Sequence, residues 1–146
     1  MKVSVIIPYH GEDIYLNDCL DSLSDQTYKD FEIVLVVSGG EEPSDITSLY
    51  DAMDIKIVKS DGENVCAARN AGLDFASGEY VVFLDCDDYL DAHFLEKLIQ
   101  CGADNEYDLL FGKVIYTWYK REFFLRKESG ETEEEEDDGN APEEDG

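Results

Sequence analysis

Apolar residues along the chain follow two alternating rhythms. Short, nearly continuous runs at Val3–Ile7, Phe31–Val37, Ile55–Val58 and Tyr80–Leu84 are rich in β-branched and aromatic residues. Such runs predict strands covered on both faces, as in a parallel sheet. Pro8 is expected to close the first and Ser38-Gly39-Gly40 to break the second. Between them, Leu16, Cys19, Leu20 and Leu23 recur at i, i+3, i+4 and i+7, an apolar stripe that predicts a helix ending near Gln26. Asp45–Met53 reads as a short helix. Asn64 reads as the N-cap of a further helix, whose Ala67, Ala68, Ala71, Gly72 and Ala76 are small enough for close packing on a sheet, and Ser77-Gly78 ends it. A last amphipathic helix is expected from Asp91 to Cys101, with Phe94, Leu95, Leu98 and Ile99 turned inward.

Strand and helix thus alternate four times. The rhythm predicts an α/β fold with a mostly parallel, Rossmann-like sheet, and ligands held beyond the carboxyl ends of its strands. Further along, Asp108–Trp118 is apolar and aromatic enough for another strand or strand pair. Tyr119–Lys127 mixes aromatics with Lys120, Arg121, Arg126 and Lys127, and reads either as an edge element packed on the domain or as a peripheral membrane contact.

Charge changes the picture at the C-terminal end. The 146 residues carry a net charge of −25, and Glu128–Gly146 contains 11 acidic residues and no basic one. Like charge without apolar residues to bury cannot offset the entropy of ordering, so we expect a domain over residues 1–127 and a disordered acidic tail over 128–146. The body is itself acidic, which argues against a nucleic-acid surface, because phosphate binding needs clustered Lys and Arg. Cys19, Cys66, Cys86 and Cys101 are widely spaced, form no zinc pattern, and read as free thiols. No secretory leader and no run of roughly 20 apolar residues is evident, so a cytoplasmic setting is expected.

The candidate chemistry lies at Asp85-Cys86-Asp87-Asp88, directly after the fourth run. Three carboxylates so close repel one another unless a cation sits among them, and oxygen ligands suit Mg²⁺ or Mn²⁺. Taken alone, the cluster has a second reading, in which Asp87 or Asp88 caps the following helix.

Several stretches, in order, bear on this choice: Val3-Ser4-Val5-Ile6-Ile7-Pro8, Tyr15-Leu16, Cys19-Leu20-Asp21-Ser22-Leu23, Gln26-Thr27-Tyr28, Phe31-Glu32-Ile33-Val34, Ala67-Ala68-Arg69-Asn70-Ala71-Gly72-Leu73, and Gly78 through Asp88. With these, Met1 to about Gln100 resembles the nucleotide-sugar-binding half of a family 2 glycosyltransferase of GT-A fold. The resemblance implies a nucleoside-diphosphate sugar donor, most often a UDP-sugar, a saccharide or lipid-linked acceptor, and inverting transfer assisted by Mn²⁺ or Mg²⁺. It implies that Asp87 holds the metal, with Asp85 and Asp88 as further ligands and Asp85 near the ribose. It puts Pro8, His10, Ser38 and Arg69 on the donor side as well. For Arg69 a structural ion pair with a neighbouring Asp is an equal alternative, and His10 reads either as a base-stacking ring or as a plain loop residue.

Departures from the family pattern are as informative. Where the family has Asp-Asp-Gly-Ser after the second strand, this chain has Val37-Ser38-Gly39-Gly40, so the base-reading carboxylate is replaced by Ser38. Family members also continue well past the metal motif into an acceptor half carrying the general base, and the chain is truncated relative to them. Besides transfer at the inner face of a membrane, two readings stay open: a nucleotide-sugar-binding module or remnant without turnover, and an interaction domain with an acidic docking tail. A homo-oligomer is also left open.

Overall fold

The computed structural model describes residues 1–11, 13–39, 42–43, 46–61, 64–105, 108–109, 112, 121–122 and 125. The chain forms two units, residues 1–110 and 111–146. In the second, Arg121, Glu122 and Leu125 are helical. The strand expected over 108–118, the 119–127 segment and the 128–146 tail lie almost entirely outside the described residues. Among the described residues, no helix is long and apolar enough to cross a membrane.

The first unit alternates strand and helix as the apolar rhythm predicts: β1 Val3–Tyr9, α1 Asp13–Ser24, β2 Phe31–Ser38, α2 Ile46–Leu49, β3 Ile55–Ser60, α3 Val65–Phe75, β4 Tyr80–Phe83 and α4 Phe94–Asn105. The four strands make one parallel sheet in the order β3-β2-β1-β4. Moving from β1 to β2 to β3 the chain travels one way across the sheet, and from β3 to β4 it reverses past β1. Crossovers of constant hand then require the α3 connection to lie on the opposite face from α1. Two buried clusters agree with this. Val3, Val5, Ile7, Ile33 and Leu35 pack with Leu16, Cys19, Leu20 and Leu23 of α1 and Leu95 of α4, while Ile6, Val34, Val36 and Val58 pack with Ala68 and Ala71 of α3.

Three boundaries differ from the sequence expectation. Pro8 does not close β1, which continues to Tyr9 with Pro8 opposite Val36. The Ile6 carbonyl accepts from Leu84 N on the β4 side, and residues two apart in a strand share a side. The N–H that Pro8 lacks would therefore face that side beyond Ile6↔Phe83, where pairing with β4 has already ended. The short helix expected over Asp45–Met53 covers only Ile46–Leu49. The helix expected from Asp91 begins at Phe94, because Asp91 makes its capping turn: its Oδ1 accepts from His93 N at 2.9 Å and its carbonyl from Phe94 N at 3.0 Å. Asn64 caps α3 as expected, accepting from Ala67 N at 2.8 Å.

Small residues let α3 lie close to the sheet. A Cβ added at Gly72 would fall 2.5 Å from Ile6 Cγ2 and 3.1 Å from Val36 Cγ2. At the amino end of the sheet, Glu32 is fully buried. Ser77 donates to its Oε1 through both N, at 3.2 Å, and Oγ. Lys56 Nζ makes an ion pair with Oε2 at 2.9 Å, and Lys2 Nζ lies 3.6 Å from Oε1. Burial pushes this carboxyl's pKa up, but the Ser77 hydrogen bonds and the Lys56 ammonium outweigh it, bringing it from 4.5 down to about 2.

Both features generate measurements. Gly72→Ala should destabilise the fold by about 1–2 kcal/mol in denaturant titration, since overpacking against two β-branched side chains exceeds the roughly 1 kcal/mol that Ala gains over Gly in a helix; a stabilised variant would contradict the close approach. For Glu32 the folded pKa is depressed, so its contribution is complete above pH 4.5 and is lost as the pH falls from 4.5 towards 2. Wild type should exceed Glu32→Gln by about 1–3 kcal/mol at pH 7, and the gap should close as denaturation is repeated between pH 5 and 2.5.

Candidate functional site

The reversal of strand order places β1 between β2 and β4, and the crevice of such a sheet opens beyond the carboxyl ends of the strands flanking that point. The expected site residues fall there from separate elements. His10 follows β1, Ser38 ends β2, Asp85, Asp87 and Asp88 follow β4, and Arg69 lies in the first turns of α3. Gly11 and Gly39, with φ of +95° and +70°, bend the chain where it leaves β1 and β2. That region suits glycine and penalises a Cβ.

One group forms around the carboxylates. Asp85, Asp87 and Asp88 are exposed, and each offers an oxygen within 4.8 Å of the others. They meet through a turn rather than along an extended strand end: Asp88 N donates to Asp85 O at 3.0 Å, and the buried Cys86 points into the core between them. The helix-cap alternative is removed, because α4 starts at Phe94, well beyond Asp88, and the turn leading into it is made by Asp91. Partial burial, then repulsion from Asp87 and Asp85, holds the Asp88 carboxyl above the usual carboxylate range. A cation among the three would relieve that repulsion, and an all-oxygen donor set fits Mg²⁺ or Mn²⁺.

Arg69 joins this group. Its Nη2 lies 3.4 Å from Asp85 Oδ1, and its guanidinium stands 5.8 Å from the centre of the Phe83 ring. The Arg69 Nε is buried and makes no hydrogen bond. The two readings of Arg69 thus describe one position, a residue that pairs with Asp85 and lies beside the carboxylates.

A second group links the ends of β1 and β2. Ser38, buried, shares a hydrogen bond of 3.1 Å with Nδ1 of the exposed His10. The sequence presents these as separate candidates, and the parallel pairing of Tyr9 with Val37 brings them together. Pro8 belongs to neither group and is buried within β1.

Other side chains shape the site without having drawn notice as candidates. Cys19 Sγ lies 3.9 Å from the Asp85 carbonyl. Its thiol is pushed well above the ordinary value, by burial first, then by Cys86 and the three carboxylates. Ser22 of α1 and Gln26, two residues past its end, reach the segment that follows Asp88. Their signal in the sequence is faint but present: Gln26 stands three residues after Leu23, where a further apolar residue would continue the stripe.

The chain matches the model of Glycosyl transferase family 2 over residues 4–141. It belongs to glycosyl transferase family 2. It is similar to the glycosyltransferase GlyA of Streptococcus pneumoniae, with 39% identity over 114 residues that cover 76% of this chain and 16% of GlyA. Among solved structures it is similar to Staphylococcus aureus TarS 1–349 in complex with UDP, with a TM-score of 0.68 and 26% identity over 80% of this chain and 38% of that one. The mannosyltransferase PcManGT of Pyrobaculum calidifontis, in complex with GDP-Man and Mn²⁺, matches with a TM-score of 0.65 and 26% identity over 70% of this chain and 32% of that one. The fold is that of GT-A glycosyltransferases, as the family resemblance implies. The chain spans well under half the length of each of these three relatives.

None of the four cysteines forms a disulfide, and Cys19 and Cys86 are buried while Cys66 and Cys101 are exposed. In the native protein a thiol-specific chromogenic reagent should therefore modify Cys66 and Cys101 quickly, leaving Cys19 and Cys86 until denaturant is added. Fast native modification of Cys19 would contradict its place under the carboxylate turn.

Proposed function

We propose that the chain binds a nucleoside-diphosphate sugar across the carboxyl ends of β1 and β4 and takes part in transferring the sugar to an acceptor hydroxyl. The single observation that carries this is the convergence of Asp85, Asp87 and Asp88 within 4.8 Å at the reversal point of the sheet. TarS in complex with UDP and PcManGT in complex with GDP-Man and Mn²⁺ support it. Asp87, with Asp85 and Asp88, would hold Mn²⁺ or Mg²⁺. Such an ion supplies charge stabilisation to the departing diphosphate.

The chain's own groups then have separate tasks. Arg69 offers a fixed fork of donors beside the carboxylates, so it can turn from Asp85 to a phosphate oxygen when a donor is seated. His10, oriented by Ser38, offers a ring face beyond the end of β1 for the base. Transfer would proceed with inversion: the bond from the anomeric carbon to phosphate oxygen breaks, its electron pair leaves with the diphosphate, and the acceptor oxygen bonds from the opposite face. The acceptor is a saccharide or lipid-linked hydroxyl, whose proton needs a base on that face.

Binding without turnover is the second reading. It rests on the carboxylate cluster alone, which can hold a donor without activating an acceptor. Calorimetric titration of UDP into the full chain should show binding that requires Mn²⁺ or Mg²⁺. Asp87→Ala should weaken it by at least about 100-fold, beyond the 10–100-fold typical of outer-sphere partners. Metal-independent binding, or an unaffected Asp87→Ala variant, would defeat the site. Release of free sugar from the donor then separates an enzyme from a binding module.

A further inference from the structure

Gln26 is a fully buried amide two residues past the C-terminal end of α1. Its Nε2 donates to Ser22 O at 3.0 Å and to Asp91 O at 2.7 Å, and its Oε1 accepts from Leu95 N at 3.1 Å. Both amide hydrogens and the carbonyl are therefore engaged. Ser22, also fully buried, donates to Cys19 O at 2.6 Å and accepts from Leu90 N at 3.0 Å. Thr27 N adds a bond to Ala92 O at 2.9 Å. The end of α1 is thus tied to Leu90, Asp91, Ala92 and Leu95, the segment that begins two residues after Asp88.

A leucine would continue the apolar stripe of α1 at this point, and a buried amide is tolerated only when its hydrogen bonds are met. What those bonds achieve lies outside α1. Three carboxylates that repel one another must be held by the chain on either side of them. β4 fixes the entry to the turn, the bond from Asp88 N to Asp85 O closes it, and the bonds of Ser22 and Gln26 reach the segment beyond it.

We propose that Gln26, assisted by Ser22, is a positioning residue for the carboxylate turn: it fixes where the chain leaves Asp88 and so keeps the three carboxylates within reach of one cation. The proposal rests on the reading of Asp85, Asp87 and Asp88 as a metal site, and it concerns a residue that touches neither metal nor donor. Outer partners of this kind orient the ligands they support, and their loss typically weakens metal binding by about 10–100-fold.

The test uses the full chain and three variants: Gln26→Leu, Ser22→Ala, and Glu32→Gln as a control at the opposite end of the sheet. Amide hydrogen exchange is measured without metal, and Mn²⁺ affinity by calorimetry. In Gln26→Leu the Asp88 and Leu90 amides should exchange at least about tenfold faster, as expected when a supporting hydrogen-bond set is lost, and Mn²⁺ should bind about 10–100-fold more weakly. Glu32→Gln should leave Mn²⁺ affinity as in wild type and speed the Asp88 and Leu90 amides no more than those of the sheet, since it lowers stability without touching the turn. A folded Gln26→Leu protein in which only the Leu95 amide speeds up, with Asp88 exchange and Mn²⁺ affinity unchanged, would confine Gln26 to seating α4 and overturn the proposal. Should Gln26→Leu fail to fold, Ser22→Ala decides by the same readouts, since it removes the acceptor of Leu90 N and leaves Leu95 bonded. Wild-type protein that binds no Mn²⁺ would defeat the metal reading separately, while the exchange rates still decide the clamp.

Discussion

A parallel strand buried on both faces and paired on both edges can be reached only from its ends, and β1 is such a strand. Everything else in the first unit is arranged around it. Its two faces need different helices, which the reversal between β3 and β4 supplies by sending α3 to the side opposite α1. Its carboxyl end needs a polar exit, which His10 and Gly11 provide. Although β4 stops opposite Ile6 and β2 runs on past Tyr9, the carboxyl ends of all three strands deliver His10, Ser38 and the carboxylate turn to one side of the sheet.

The two ends of the sheet handle charge in opposite ways. At the amino end, Glu32 is buried, but Ser77, Lys56 and Lys2 surround it, so the ionised form is favoured. At the carboxyl end, three acids face one another with one arginine beside them, and Asp88 is held above the ordinary carboxylate range. The first arrangement is complete within the chain and serves the fold. The second is left short of positive charge at an exposed rim, which is the condition that favours a divalent cation.

Holding that second arrangement falls to neutral groups. Ser22 and Gln26 engage the downstream segment through hydrogen bonds that use nearly all their capacity, and neither adds charge near the acids. Cys19 and Cys86 fill the space beneath the turn as small apolar groups, and burial keeps the Cys19 thiol protonated there. The turn is therefore supported from below by packing and from its exit by hydrogen bonds.

Much of this was legible in the sequence, because burial on two faces leaves a continuous apolar run and an amphipathic helix leaves a 3.6-residue stripe; β1, β2, α1 and the Asn64 cap follow from those rules alone. The metal-type cluster was legible as well, since its three acids are adjacent in sequence. Boundaries set by side-chain and ladder geometry were not. Whether Pro8 ends a strand depends on which neighbour its absent N–H would face, and where α4 starts depends on Asp91 folding back on His93. Nor could the sequence choose between a metal site and a helix cap, or join His10 to Ser38, or give Gln26 a task, because each turns on contacts between residues far apart in the chain. Local pattern determined the elements and the kind of chemistry at their ends; only the packing of α1 and α3 on the sheet decided which ends meet, since that depends on how closely each face lets a helix approach.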